Sequence, residues 1–242
     1  MFSVSAISES KSANVGGWGD QGDGTYLNPI LESDYSDPDV IRVNDKYYMI
    51  TSTFCMAPGM AILESTDLVN WKTINYCIPD ISELVPGFNW DSMGGYSYTG
   101  LYAGALRYLE WKERDEEGNL VERHKWFMHA TFFQQGFVVA TADDVYGEWT
   151  VQYMKDKNGS DVKVSMWDDP CPYWEFNEDG TLKAAYMTAS KVINGWYVHV
   201  FKMSLDGTTL LDGDVKYMKQ NYDTTRERNS EGNLVSKRTG EV

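Results

Sequence analysis

Two aspartate–proline steps carry the clearest chemical potential in this chain. The first is Asp34-Tyr35-Ser36-Asp37-Pro38-Asp39-Val40, which leads into Ile41-Arg42-Val43 and the aromatic run Lys46-Tyr47-Tyr48-Met49-Ile50. The second is Trp167-Asp168-Asp169-Pro170-Cys171-Pro172-Tyr173-Trp174. Proline fixes φ and lacks an N–H donor, so Asp-Pro belongs at the mouth of a strand rather than in its middle. Two such mouths in one β-rich chain can deliver carboxylates to a shared centre. Paired carboxylates are the usual equipment for cleaving a glycosidic bond. A lone Asp-Pro more often starts a turn; the repetition is what favours chemistry.

Other chemistries find little support. The cysteines at 55, 77 and 171 are odd in number and lack zinc-ligand spacing. His124, His129 and His199 form no His-x-x-x-His pair, and neither a nucleophile-elbow signature nor a glycine-rich phosphate loop occurs. A net charge of −15 argues against a nucleic-acid backbone or an anionic membrane surface as partner and suits a neutral substrate. No apolar run approaches a membrane span. Residues 1–13 lack the basic start and full apolar core of a secretory signal, so the chain as written reads as cytoplasmic, or as periplasmic or secreted if its start is misassigned.

The elements that must position these carboxylates are strands. With 42% hydrophobic and 14% aromatic residues, 242 residues suffice for one large packed β domain. Residues 1–25 are small and polar and read as a flexible lead-in to a domain over 26–242. One phrase then repeats: Lys46–Thr53 as a strand, Gly59–Ser65 as its partner, and a turn closed by Trp71. It returns as Lys125–Thr131, Gly136–Ala142 and a turn ending at Trp149, and again as Leu182–Ser190, Gly195–Ser204 and Leu205-Asp206-Gly207. Repeated strand-rich units that cannot bury both faces alone suggest sheets arranged around an axis, as in a propeller. Asp115–Asn119 and Asn177–Gly180 read as hairpin tips with solvated acids. Apolar periodicity of 3.6 is not sustained, so no long helix is expected.

At these residues the chain resembles glycoside hydrolase family 43, the five-bladed β-propeller enzymes acting on xylosides and arabinosides. Asn28-Pro29-Ile30-Leu31 with Tyr35–Val40 is similar to the family's opening. Thr51-Ser52-Thr53-Phe54, Pro58-Gly59 and Glu64–Trp71 resemble the rest of the first blade. Gly100–Tyr108 is similar to the inner strand of the second blade, and Asp168–Trp174 to the mouth of the third. The resemblance implies an all-β, incomplete propeller of about three blades plus the start of a fourth, because the chain stops at Val242.

The resemblance also implies roles. Asp37 would be the general base and Asp169 the residue that tunes the acid and orients substrate. Glu231, in Ser230-Glu231-Gly232-Asn233, would be the general acid. Inversion needs base and acid roughly 6.5–9.5 Å apart, with room for a water. Asp34 and Asp39 are weaker candidates, Asp39 through sharing a strand face with Asp37 and both with a local turn-capping alternative. Phe54 would cover the sugar ring, and Trp90 would stack on a sugar or serve as a core indole. A tryptophan common in xylosidase-like relatives is Met56 here. The implied reaction is removal of terminal xylosyl or arabinofuranosyl units from plant polysaccharides or oligosaccharides by inversion, with no cofactor needed for the chemistry. A structural Ca2+ is allowed by the resemblance. The implied partners are xylo- or arabino-oligosaccharides, with self-association through an open propeller edge. A carbohydrate-binding fragment without catalysis, or an inactive truncated homologue, is the alternative.

Overall fold

The structure, a computed structural model, describes residues 17–86, 100–133, 135–163, 167–192, 196–211, 216–218, 226–228 and 234–236. The all-β expectation holds: among the described residues the only helical element is a 3-10 turn at Ile81–Glu83. A short pair, β1 (Gly19–Asp20) and β2 (Tyr26–Leu27), comes first. Part of the expected lead-in is therefore ordered. Asp20 accepts from the backbone N of Gly22 at 2.8 Å and from Asn70 Nδ2 at 3.1 Å, which ties it to the first sheet's turn.

Three meanders follow. β3 (Asp39–Val43), β4 (Lys46–Thr51), β5 (Gly59–Ser65) and β6 (Lys72–Ile78) form an antiparallel sheet in sequence order. β7 (Leu101–Arg114), β8 (Leu120–Phe132), β9 (Gly136–Ala142) and β10 (Thr150–Tyr153) repeat that order. The short β11 (Lys155–Asp156) crosses to the third sheet and pairs in parallel with its last strand. That sheet contains β12 (Trp167–Phe176), β13 (Leu182–Val192), β14 (Trp196–Met203) and β15 (Thr209–Leu210). β16 (Lys216–Met218) also pairs with β14, and β17 (Arg226–Arg228) pairs with β18 (Leu234–Ser236). The described sheets do not close into a ring.

Side-chain alternation explains how the sheets stack. On β4, Tyr48 and Ile50 face the second sheet and join a core with Trp126, Met128 and Ala130 of β8. Met49 points the other way, to Leu63, Tyr35 and Trp71. On β8 the intervening Phe127 packs with Trp174, Met187 and Phe201 of the third sheet. A sheet covered on both faces needs apolar residues at consecutive positions. β5 and β9 satisfy this, being buried along nearly their whole length.

The tryptophan-closed turns also repeat. Trp71 Nε1 donates to Leu68 O at 3.0 Å, and Trp149 Nε1 donates to Val145 O at 3.4 Å. In the third sheet Trp174, from β12, donates to Leu205 O at 2.9 Å. The first strands of the three sheets lie side by side, with β7 contacting both β3 and β12. They form the inner layer, and the carboxylates sit at one end of it.

Candidate active site

Three positions, evenly spaced along the chain, share an unusual backbone. Asp37, Ala103 and Asp169 have φ of 50°, 50° and 57°, the left-handed region that side chains seldom occupy. Each lies at the beginning of an inner strand. Asp37 precedes β3, and Ala103 falls in an irregularity of β7 between Tyr102 and Ala105. Asp169 falls in an irregularity of β12 between Asp168 and Cys171. Here the third sheet departs from the expected strand mouth. Trp167 and Asp168 already pair with Lys191 and Ser190, and Pro170 is accommodated by the bulge that follows.

Hydroxyl groups and aromatic rings orient the acids. Asp37 Oδ2 accepts from Ser36 Oγ at 2.9 Å and from Ser52 Oγ at 2.8 Å. Ser52, a buried residue of the first sheet, also accepts from the Ala103 backbone N at 2.8 Å. The first carboxylate is thus keyed to the strand of the second sheet. Asp169 Oδ2 accepts from Ser190 Oγ at 3.1 Å, and Asp168 Oδ1 accepts from Tyr102 OH at 2.6 Å.

Tyr102 is where the three acids meet. Burial raises its pKa most, followed by the hydrogen bond to Asp168 and then the negative charges of Asp168, Asp169 and Asp37. Asp169 is also raised above the ordinary aspartate value. Burial of its carboxyl is the main cause, Ser190 opposes it, and the charges of Asp168 and Asp37 add to it. The residue as a whole is exposed, so one side of the carboxyl is crowded while the other opens to solvent. Asp37 and Asp169 therefore lie within each other's electrostatic reach.

Phe54 joins this group. It is half-buried at φ 51°, and its ring stacks on Tyr102 with centroids 6.3 Å apart. A bridge to Leu101 holds it: Phe54 N donates to Leu101 O at 2.8 Å, and Leu101 N donates to Phe54 O at 3.0 Å. Met56 nearby is exposed. Trp90 and Glu231 lie outside the described residues.

Asp39 does not join the cluster. Its carboxylate turns to the second sheet, where Leu106 N and Arg107 Nη1 donate to it at 2.8 and 2.6 Å. The left-handed residue at Asp37 breaks the alternation that would have put both aspartates on one face, and the capping role allowed for Asp39 is replaced by a contact between sheets. Asp34 is exposed. Sequence reading passed over Tyr102, Asp168, Ser52 and Ser190 as site residues. Asp168 had a signal in its doubled Asp-Asp; the serines and the tyrosine are recruited from other strands and had none. All three cysteines are free, where their odd count required only that one be. Among the described residues no group of three or more His, Cys, Asp or Glu is placed to hold a metal ion.

The chain is 40% identical over 212 residues to a β-xylosidase of Formosa agariphila, a match covering 84% of this chain and 32% of that protein. It is 37% identical over 87 residues to a non-reducing end α-L-arabinofuranosidase of Bacteroides ovatus, covering 35% of this chain and 16% of that one. The chain thus spans about a third of the length of that β-xylosidase. Among solved structures, the GH43 protein BlXynB of Bacillus licheniformis, as its K247S mutant, superposes with a TM-score of 0.56 at 21% identity, covering 83% of this chain and 34% of that chain. A GH43_12 protein from a capybara gut metagenome gives 0.54 at 24% identity, covering 81% and 33%. These two likenesses concern the fold. The profile of Glycosyl hydrolases family 43 matches residues 26–242, and with the arrangement of sheets and acids above, the chain belongs to that family of glycoside hydrolases.

Proposed function

We propose that this chain carries the base and the modulating carboxylate of an inverting glycosidase that releases terminal xylosyl or arabinofuranosyl units from plant polysaccharides or oligosaccharides. One observation carries the reading: Asp37 and Asp169, distant in sequence, stand at the starts of the two inner strands that flank β7, within each other's field and beside Tyr102. Asp37, oriented by two serine hydroxyls, takes the proton of the attacking water. Asp169 holds negative charge near the acid and so favours that acid's protonated form. The resemblance assigns the acid to Glu231. Phe54 and Tyr102 offer apolar surface to the sugar ring. The names of the β-xylosidase and arabinofuranosidase relatives support this pair of substrates. The three meanders support a place as three blades of a five-bladed propeller.

The test is hydrolysis of aryl xylosides and aryl arabinofuranosides by this chain and by any longer protein that carries it. Asp37→Ala should lower turnover by about 10²–10⁴-fold, the usual worth of a general base. Azide should restore part of it with inverted product where the mutation opens the sugar's far face. Unchanged turnover in Asp37→Ala would sink the mechanism.

A further inference from the structure

Arg107 reaches all three inner strands from the middle one. Its Nη1 donates to Asp39 Oδ2 on β3 at 2.6 Å and to its own strand at Leu106 O, also 2.6 Å. Its Nη2 donates to Cys171 Sγ on β12 at 2.9 Å. The contact to β3 is doubled by Leu106 N, which donates to the same Asp39 oxygen at 2.8 Å. We propose that Arg107 is a positioning residue: by joining Asp39 to Cys171 across β7, it sets the distance between the carboxylates of Asp37 and Asp169. This rests on the reading of those two aspartates given above.

Each anchor lies two residues beyond a site aspartate, Asp39 after Asp37 and Cys171 after Asp169. Two residues of strand span about 7 Å, so these are close tie points along either chain segment. Both aspartates occupy left-handed backbone, which persists only where the surroundings over-determine it. A planar, forked guanidinium can hold two directions at once, whereas an ammonium acts as a point charge. The Arg107 and Asp39 side chains are 28% and 32% exposed, so water weakens their attraction. Geometry is then the larger contribution. Burial is the main cause of the raised Asp169 pKa; the groups that act on it are Ser190, Asp168 and Asp37, with Tyr102 bound to Asp168, and Arg107 is not among its causes.

Those facts give the experiment a sign. Carbon-13 NMR of aspartate-labelled chain reads the Asp169 carboxyl titration directly, whether or not the protein hydrolyses a glycoside. In Arg107→Met the two strands part and the Asp37 charge recedes. The Asp169 pKa should then fall toward the ordinary aspartate value. A rise would mean that Arg107 acts as a direct counter-charge, and no change would mean that it does not position the pair; either overturns the proposal. Arg107→Lys, which keeps the charge and the reach to Asp39 but not the second arm, should give a smaller fall. It serves as the reading if the methionine variant does not fold, and an unmoved titration in it overturns the proposal equally. On an aryl xyloside Arg107→Met should lower kcat at least tenfold with KM within threefold. If the wild type hydrolyses no glycoside, the functional reading fails while the titration still decides the role of Arg107.

Discussion

Asp37 and Asp169 each hold a backbone conformation that costs on the order of 1–3 kcal/mol for a residue with a side chain. The cost is repeated at Ala103, where no carboxylate gains from it, so it belongs first to the way each inner strand begins. At Asp37 and Asp169 the same geometry also aims an acid. The raised pKa of Asp169 has two consequences. Above its folded-state pKa the ionised group opposes folding, because burial and the like charges of Asp168 and Asp37 penalise it. Asp169→Asn should therefore move the urea midpoint slightly upward at neutral pH. In the proposed mechanism the same change withdraws the charge that favours the protonated acid, and it should bring the alkaline limb of the kcat/KM profile down by about one pH unit. Gained stability with a lowered alkaline limb is the expected pair; a limb that stays in place would count against the modulating role.

At the scale of elements, the loop from β4 to β5 is fitted against the start of β7. Gly100 has φ +96°, and a Cβ built there would lie 2.0 Å from Phe54 O. No flexible side chain can yield, since the obstacle is backbone that also makes the bridge between Phe54 and Leu101. Gly100→Ala should cost about 2–4 kcal/mol, from the strained φ together with displacement of that bridge. Its effect on aryl glycoside turnover should be large as well, because Phe54 and Tyr102 move with the bridge. Urea denaturation measures the first effect and steady-state kinetics the second. A variant of wild-type stability would mean that the two segments are less tightly fitted than their geometry indicates.

Across the whole molecule, one histidine links the second sheet to the third. His129 is fully buried on β8, and its Nε2 lies 2.7 Å from Gly207 O in the turn after β14. Burial lowers its pKa to about 4, with the bond to Gly207 opposing the shift and the Arg107 charge adding to it. A neutral ring donating from Nε2 leaves Nδ1 as a buried acceptor without a partner. The folded chain thus binds fewer protons than the unfolded chain between about pH 4 and 6.5. This contribution is complete above pH 6.5 and is lost as pH falls toward 4. At pH 5 the loss is about 2 kcal/mol relative to pH 7, given a reference value near 6.5. His129→Gln keeps a donor for Gly207 and does not titrate. The difference in unfolding free energy between pH 7 and pH 5 should shrink by about that amount in the variant, and an unchanged difference would assign the acid sensitivity to other groups.

Local physics made much of this protein legible from its residues. Aromatic and β-branched runs bounded by turns of Asp, Asn and Gly located β4, β5 and β9 closely and the later half of β8, whose first residues, from Leu120 on, extend the strand beyond the aromatic run. Strand pairing and turn chemistry depend on near neighbours. Asp37 and Asp169 stood out because proline beside an acid restricts where a strand can begin. Partnership across sheets was settled elsewhere. Ser52 reaches Asp37 and Ala103, Tyr102 reaches Asp168, and Arg107 joins Asp39 to Cys171; each bond spans sequence separations that no local pattern encodes. Alternation alone put Asp39 on the face of Asp37, and a single left-handed residue sent it to the neighbouring sheet. Strand identity is written in short-range backbone preference, but the direction of a carboxylate depends on which strands pack beside it, and only the packed fold decides that.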